Sequence, residues 1–471
     1  MTGPVALLVL LSNLVASWGL PPALVSRGDL DVLAARLDAT IEENIARHCP
    51  RPVIGGAPIP GPAAHDIVLV AEGGAGLHDC YDFLAQYGAV LFGPPVDDGE
   101  RQTGLVNQFT EICRSLPEAL RSATSHADAC SPYQPGRRGI PDLQVTMTAL
   151  AAARRFGAMA VLGGQPAAAA QRFLDVLRFS QDLGRGGAPL VLTMFGTSVM
   201  REVIMNDLAQ LIERPEVEVE DLEGIASALD QLILSEPSLP RIIAADTTWL
   251  AVEAGLPLIR GPGWAPPGGF SQGRRRTPTD DAPDLLPWIP QSRERGIIFS
   301  AFMELDRKRR AACPLNATLA DCHAGLLALS EARQLMESTP SWIRWLRVAL
   351  APAPLAALRR ELEERVQARV DAPFEGYVRE YASRSFQMTI LRFLVAVRLE
   401  LRRSGRCPTS EDLEAPRWQE ILRDPVFGGG LGATRRDPVS YVVESNGRFT
   451  TGTGGGTPLR LSASVPACEG R

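Results

Sequence analysis

Glu72 to Cys80, with the sequence EGGAGLHDC, is the segment whose residue types most readily suggest chemistry. A glycine-rich turn after an apolar run could hold a phosphate, and His78 near Cys80 could form a base and a nucleophile. Neither GxGxxG nor GxxxxGK occurs there, and a catalytic Cys–His pair must face each other in space, which adjacency along the chain does not supply. We therefore predict a tight turn leading into a helix, with Asp79 as the N-cap.

The remaining titratable residues form no recognised catalytic or metal-binding pattern. The chain has no GxSxG elbow, no HExxH helix and no EF-hand loop, and its five histidines lack ligand spacing. Acidic doublets could include a glycosidase pair, but doublets on solvated surfaces are commoner. These doublets are Glu42-Glu43, Asp97-Asp98 and Asp280-Asp281. Only Cys322-His323 approaches a zinc pattern. We predict no catalytic residue, no metal ligand and no cofactor.

The cysteines predict disulfides instead. Their number, eight, is even, which is typical of exported proteins that fold in an oxidising compartment. Cys313 and Cys322 are close enough in sequence to close a local loop. Plausible further pairs are Cys113 with Cys130, Cys49 with Cys80, and Cys407 with Cys468, the last of which would tie the tail back to a helix end. Spacing alone does not fix the connectivity.

The N-terminal segment predicts export. Residues 4–20 are apolar and carry no charge, and Val15-Ala16-Ser17 offers small residues for cleavage. We predict a signal peptide or membrane anchor over residues 1–26, and a location in the periplasm or at the inner membrane. A buried core helix is the alternative, although Pro21-Pro22 and the polar restart at Arg27 argue against it. If uncleaved, the segment would contact the membrane.

The charge composition excludes one class of partner. A net charge of −6 does not favour nucleic-acid binding, and we predict none. Lys308 is the only lysine, so 47 of the 48 basic residues are arginines. With abundant Ala, Gly and Pro, this bias indicates the codon usage of a GC-rich bacterium. We expect the arginines to lie mostly on the surface.

Helical periodicity dominates the chain. Leu222, Ile225, Leu229 and Leu232 recur at steps of three and four residues, as on one face of a helix. Similar patterns cover 28–47, 101–127, 141–157, 166–183, 293–311, 317–338, 355–370 and 389–403, and 188–213 is apolar enough for a central buried helix. The predicted fold is mainly α. A helical body spans 27–385, with a Pro/Gly-rich loop at 256–290, and a long helix with a small α+β tail occupies 386–471.

Strand patterns are few. The run HDIVLVAEGG, residues 65–74, fits a short strand or a buried helical turn. SYVVESNGRFTTGT predicts a β-hairpin, because Asn446-Gly447 lies between two β-prone runs. The sequence LRLSASV, beginning at Leu459, predicts a third strand.

The end of the chain, from ILRFLVAVRLELRRSGRCPTSEDL through YVVESNGRF, resembles the C-terminal half of the major pseudopilins of type II secretion. The matching residues are Gly405, Pro408, Thr409, Leu413, Asp424, Pro425 and Gly447. Gly405 is placed to end the long helix, Pro408 to prevent its resumption, and Ser410 to cap the next one. The N-terminus of this chain does not match the pseudopilin cleavage signature. The aspartate calcium ligands of the pseudopilin loop are not matched either, since Glu444 and Asn446 stand in the region of that loop.

The resemblance implies a long helix, a short helix and antiparallel strands. As a whole the chain looks like uncharacterised exported helical proteins of GC-rich bacteria, in which 172–204 would form a helical hairpin turning at Gly184 to Gly187. The leading hypothesis is a non-enzymatic envelope protein that scaffolds or binds an unknown envelope protein or ligand. The alternatives are an enzyme of unrecognised type, with its site near 72–80 or 256–290, and a secretion-system accessory.

Overall fold

A computed structural model describes the chain in separate ranges. These are 59–62, 78–92, 99–124, 126–128, 143–182, 197–243, 304–305, 307–339, 343, 346–347, 350–353, 357, 360–361, 364, 374–425, 429–437, 440–445 and 462–466. The predicted N-terminal leader, the helix at 28–47, the run at 65–74 and the loop at 256–290 all lie outside these ranges.

The described chain is mainly α, as predicted. The helices are α1 (His78–Phe92), α2 (Gly99–Ile112), α3 (Leu116–Thr124), α4 (Leu143–Leu162), α5 (Pro166–Asp182), α6 (Thr197–Ile212), α7 (Val219–Ser235), α8 (Leu319–Ser338), α9 (Phe374–Ser404) and α10 (Pro416–Ile421). A 3-10 turn, Asp412–Glu414, precedes α10, and shorter helical stretches include 239–243 and 307–312. No helix in the described ranges has both the length and the apolar character needed to cross a membrane.

The strands form two small sheets. In the first, β1 (Ile59–Pro62) pairs in parallel with β2 (His126–Asp128). In the second, β3 (Gly432–Asp437), β4 (Ser440–Glu444) and β5 (Ser462–Pro466) are antiparallel in that order. The strand predicted near Leu459 is therefore confirmed as β5. The predicted C-terminal β-hairpin is confirmed as an antiparallel pair formed by β3 and β4, with β5 on the other edge of β4. The turn predicted at Asn446-Gly447 lies outside the described residues.

The core is built around α5 and α9. Helix α5 packs against α3, α4, α6 and α7, and its Ala169, Ala170, Phe173 and Phe179 are buried. Helix α9 packs against α6, α7 and α8 and continues without a break across residue 385, where we had predicted the body to end. The predicted stripe of α7 is confirmed, since Leu222, Ile225 and Leu229 are all buried.

Ion pairs cross the helix contacts at their rims. Arg392 of α9 holds Asp230 of α7 through two hydrogen bonds of 2.6 and 3.0 Å. Arg154 of α4 holds Asp207 of α6 in the same two-point manner, at 2.5 and 3.1 Å. Such paired bonds fix the register between neighbouring helices more than they stabilise the fold, because partly exposed pairs contribute at most about 1 kcal/mol each.

The predicted helix 101–127 is in fact two helices and a strand. Helix α2 ends at Ile112, α3 begins at Leu116, and β2 occupies the last predicted residues. The cause is Pro117, which has no N–H to donate and whose ring would clash with the Cys113 carbonyl in a continuous helix. The Leu116 N–H instead bonds that carbonyl at 2.9 Å, closing a turn.

Helix α4 runs past the predicted end at residue 157. Gly157 lies inside it, where a Cβ would approach the Phe173 ring of α5 to 2.4 Å, so the glycine allows the two helices to pack closely. The helix ends at Leu162, and Gly164 lies in the turn that terminates it, with a φ of +68° that suits glycine. The Gln165 N–H bonds the Ala160 carbonyl at 2.9 Å, and the Gly164 N–H bonds Val161 at 3.2 Å, as in a Schellman motif.

Candidate functional site

The EGGAGLHDC segment does not form a nucleophilic site. His78 is the first residue of α1 and Asp79 lies exposed in its first turn, so Asp79 is inside the helix rather than at the predicted N-cap. Cys80 is buried and bonded to Cys113. A disulfide sulfur is no thiolate, and the Cys–His interpretation therefore fails at the nucleophile.

Two disulfides lie within the described helices. Cys313–Cys322 closes the predicted local loop, with Cα atoms 4.3 Å apart. Cys80–Cys113 joins α1 to the end of α2 across 4.8 Å, because the two helices pack against each other. The predicted pairs Cys49–Cys80 and Cys113–Cys130 are therefore wrong. Cys407 is also disulfide-bonded, to a cysteine outside the described residues, so its pairing with Cys468 stays a prediction.

The Cys322-His323 pair is likewise not available as a metal pattern, because Cys322 is held in its disulfide. Within the described ranges, no three side chains of the His, Cys, Asp and Glu types are grouped to hold a metal ion. The doublets at 42–43, 97–98 and 280–281 lie outside those ranges.

The tail motif residues build one small packed unit. Gly405 ends α9 with a φ of +70°, and its N–H bonds the Leu401 carbonyl at 2.9 Å, as predicted. Tyr441 of β4 is fully buried and donates its hydroxyl to the Pro408 carbonyl at 2.7 Å. Burial raises the pKa of Tyr441 to about 12, so this phenol stays a donor. The Phe393 ring of α9 stands edge-on to Tyr441, at 5.5 Å between centroids.

The cap of the turn after α9 is Thr409, not the predicted Ser410. The Asp412 carboxylate accepts from the Thr409 N–H at 2.8 Å, and the Asp412 N–H donates to the Thr409 hydroxyl at 3.2 Å. This reciprocal pair of hydrogen bonds has the pattern of a capping box. Hydrogen bonds from the Thr409 N–H and hydroxyl to the Asp412 carboxylate, together with one from Arg406 at 3.2 Å, hold the pKa of Asp412 below its ordinary value.

The second half of the motif fixes the glycine-rich loop before β3. Asp424 is buried and accepts the Ser445 hydroxyl at 2.5 Å, while its N–H bonds the Gly429 carbonyl at 2.9 Å. Leu413 is buried, and Pro425 is exposed. Asp424 therefore connects the loop to the end of β4. Gly447 lies outside the described residues.

The most unusual polar group in the body is one we name the arginine cluster: Arg201, Glu236 and Arg384. The Glu236 Oε1 atom accepts from Arg201 Nη1 at 2.8 Å and from Arg384 Nη2 at 3.1 Å. The two arginine side chains are each 3% exposed and the glutamate is 10% exposed. Three elements meet here, because Arg201 is in α6, Glu236 caps the C-terminus of α7, and Arg384 is in α9.

The cluster is enclosed by further polar contacts. Gln181, at the end of α5, donates to the Leu232 carbonyl at 2.7 Å and accepts the Ser235 hydroxyl at 3.2 Å. Tyr381 donates to the Pro237 carbonyl at 3.0 Å, and the Arg384 guanidinium lies 5.3 Å from the Tyr381 ring centroid. Cations are favoured here because the carbonyl ends of α5 and α7 carry negative partial charge.

Burial controls the electrostatics of the cluster. Burial lowers the pKa of Arg384. The neighbouring positive charge of Arg201 lowers this pKa further, whereas the negative charge of Glu236 raises it. Burial likewise raises the pKa of Tyr381, reinforced by Glu236, so the hydroxyl stays protonated. A carboxylate shared by two guanidinium groups is a filled anion site. The Glu236 carboxylate is the anion that both guanidinium groups bind, and these ion pairs hold α6, α7 and α9 together.

Sequence reasoning missed this cluster and misplaced several arginines. Arg201, Arg309, Arg384 and Arg398 are buried, although we expected arginine mainly on the surface. A weak signal existed in α9 at Arg398, which stands between Val397 and Leu399, whereas Arg384 stands between two serines and gave none. An arginine on an apolar face requires a carboxylate partner, but periodicity does not say which one.

A second buried carboxyl lies in α5. Asp175 is 3% exposed and accepts a hydrogen bond from Gln171 Nε2 at 2.8 Å. Burial raises the pKa of Asp175 to about 6, against the lowering effect of Gln171 and of the nearby Arg178 and Arg121. The carboxyl therefore titrates near neutrality.

No protein-family model, no curated protein and no solved structure matches this chain.

Proposed function

We propose that this chain is an exported envelope protein whose helical body acts as a scaffold or binding module. The observation that carries the proposal is the pair of buried disulfides, Cys80–Cys113 and Cys313–Cys322. Disulfides of this kind persist in oxidising compartments and are rare where thiol reductants are abundant. The uncharged apolar segment 4–20 supplies a route to such a compartment.

Export is tested by fusing alkaline phosphatase, which is active only outside the cytoplasm, to the C-terminus of the full chain in a bacterial host. We expect active phosphatase from the full chain and loss of activity when residues 1–26 are deleted. A cytoplasmic reporter such as a fluorescent protein that folds only in the cytosol provides the matched control. Phosphatase activity that does not depend on residues 1–26, or no activity at all, would contradict export through this segment.

The scaffold role is supported by the partners of the buried charged and sulfur-containing side chains, which are other side chains of the same body. Glu236 occupies both arginines of its cluster, and Cys80 is committed to a disulfide, so both groups stabilise the helix packing. An enzyme would instead present a titratable group to a substrate. A screen of the purified exported chain against hydrolase substrates separates the two, because robust turnover would refute the scaffold proposal in favour of an enzyme.

A secretion-system accessory is the second candidate function, favoured by the tail unit. A long helix ending at Gly405, the Thr409–Asp412 cap and the antiparallel order β3-β4-β5 agree with what the pseudopilin resemblance implies. The test is to remove residues 405–471 in the native host and measure proteins released into the medium. A selective loss of type II substrates would support this candidate, and unchanged secretion would contradict it.

A further inference from the structure

The turn that joins the helical stretch 307–312 to α8 contains the tripeptide Asn316-Ala317-Thr318. Asparagine followed two residues later by Ser or Thr, with any residue except proline between them, is the acceptor sequence for N-linked glycosylation of exported proteins. The chain has six asparagines, and the other five have neither Ser nor Thr at that position. Asn316 is therefore the one asparagine whose sequence context fits this modification.

The Asn316 side chain is open to solvent. Asn316 is exposed and lies in a turn closed by a 2.8 Å hydrogen bond from the Ala317 N–H to the Pro314 carbonyl. In the part of the chain that the structure describes, its side-chain amide has no hydrogen-bond partner. A sugar on this nitrogen would therefore displace no contact of the fold. It would also cover the neighbouring Leu315, which is 46% exposed.

Thr318 supplies the second group that the acceptor sequence requires. It is exposed and directly precedes α8. Its hydroxyl donates to the Asp321 carboxylate at 2.7 Å and accepts from the Asp321 N–H at 3.1 Å, and both hydrogen bonds lie at the surface. The two side chains that define the acceptor sequence are therefore both accessible in the folded protein.

A disulfide brackets the acceptor sequence. Cys313–Cys322 closes the loop that contains Asn316 and Thr318. Such a bond persists in an oxidising compartment, which a chain reaches by crossing a membrane. N-linked sugars are also added to chains that have crossed a membrane. The same short loop thus carries the covalent bond and the acceptor sequence that are both typical of exported proteins.

We propose that Asn316 carries an N-linked oligosaccharide, an inference that rests on the proposed export of the chain. The co-reactant is an oligosaccharide attached to a polyprenyl pyrophosphate, and a transferase of the host catalyses the reaction. The Asn316 Nδ2 atom forms a bond to the sugar C1 atom, and the bond between C1 and the pyrophosphate oxygen breaks. The amide loses one proton, the lipid pyrophosphate leaves, and nothing is oxidised or reduced.

The test is mass spectrometry of the unreduced protein, purified from its native host after free thiols are blocked. Trypsin cleaves after arginine, so one peptide, residues 311–333, contains Cys313, Asn316 and Cys322. We expect this peptide to have its disulfide intact and a mass increase equal to a chain of sugar residues on Asn316. An intact disulfide with unmodified Asn316 would overturn the glycosylation and leave export standing. Blocked thiols with unmodified Asn316 would contradict both.

Variants of the full chain locate the modification. Asn316→Gln lengthens the side chain by one methylene, which the acceptor sequence does not allow, and should abolish the mass increase. Asn206→Gln is the matched control, because Asn206 is exposed on α6 but lies outside an acceptor sequence, and it should leave the mass increase unchanged.

The hydroxyl requirement gives a second pair of variants. Thr318→Ser keeps the hydroxyl and should keep the sugar, whereas Thr318→Val has the same shape without the hydroxyl and should lose the sugar. A sugar that persists in Asn316→Gln or in Thr318→Val would place the modification on another residue and overturn the assignment.

Discussion

Replacing Asp175 by Asn should make the protein more stable at neutral pH. Asp175 is buried in α5, with a pKa of about 6 in the folded protein against 3.8 for the ordinary side chain. A carboxyl whose pKa is higher when folded binds its proton more tightly in the folded state. Its contribution to stability is therefore fully present below pH 3.8 and is lost as the pH rises to 6 and beyond.

The size of the effect follows from the shift. A difference of about 2 pKa units corresponds to about 3 kcal/mol, most of it lost between pH 4 and pH 7. The amide of Asp175→Asn is close in shape to the protonated acid, and its oxygen keeps the hydrogen bond from Gln171. We expect the variant to match the wild type near pH 4 and to exceed it by about 2–3 kcal/mol at pH 7.

The assay is urea unfolding of both proteins across this pH range, followed by circular dichroism. Gln171→Met is the companion variant. It removes the hydrogen bond that lowers the pKa of Asp175, so it should deepen the loss of stability at neutral pH and have little effect near pH 4. If the free-energy difference between wild type and Asp175→Asn does not change with pH, the carboxyl is not buried as described and the reasoning fails.

Two further predictions concern packing and buried charge. Gly325→Ala would place a Cβ 2.0 Å from the carbonyl oxygen of Ala312, so it should lower the free energy of unfolding by about 1–3 kcal/mol or more. Gly224→Ala is the control, because no atom lies within 4 Å of the added Cβ, and it should raise the free energy of unfolding by about 0.5–1 kcal/mol. Similar unfolding midpoints for the two variants would contradict the close approach of Gly325 to Ala312. Glu236→Gln leaves two buried arginines without their carboxylate and should cost about 3–5 kcal/mol in urea unfolding, against less than about 1 kcal/mol for the half-exposed Glu223→Gln. Equal losses would show that the arginine cluster is solvated.

The helices were predictable because burial on one face imposes a period on the sequence. The stripe in α7 and the extents of α5 and α8 agree with periodicity to within about two residues, as helix ends usually do. The break at 113–115 was also readable, from Pro117, but the apolar period on both sides of it favoured one continuous helix. The end of α9 and the turn after it were predictable, because Gly405 and Pro408 affect only the backbone of residues close to them in the sequence.

The contacts between distant residues were not predictable. Cys80 pairs with Cys113 because α1 packs on α2, and the spacing of cysteines in the sequence does not predict which helices pack together. Arg201 and Arg384 are 183 residues apart and meet only because α6 packs on α9, where Glu236 at the end of α7 contacts both. Strand β4 pairs with β5 across a longer stretch of chain than a two-residue turn spans, since Glu444 lies opposite Ser462, and a local turn signal does not predict such a pairing.

Peptide mapping of the native protein without reduction tests the central claim, that a disulfide-tied helical body stands outside the cytoplasm. Thiols are blocked in intact cells, the protein is digested, and the linked peptides are identified by mass. We predict linked peptides that contain Cys80 with Cys113 and Cys313 with Cys322. Blocked, unlinked thiols at these four positions, or Cys113 linked to Cys130, would contradict the account.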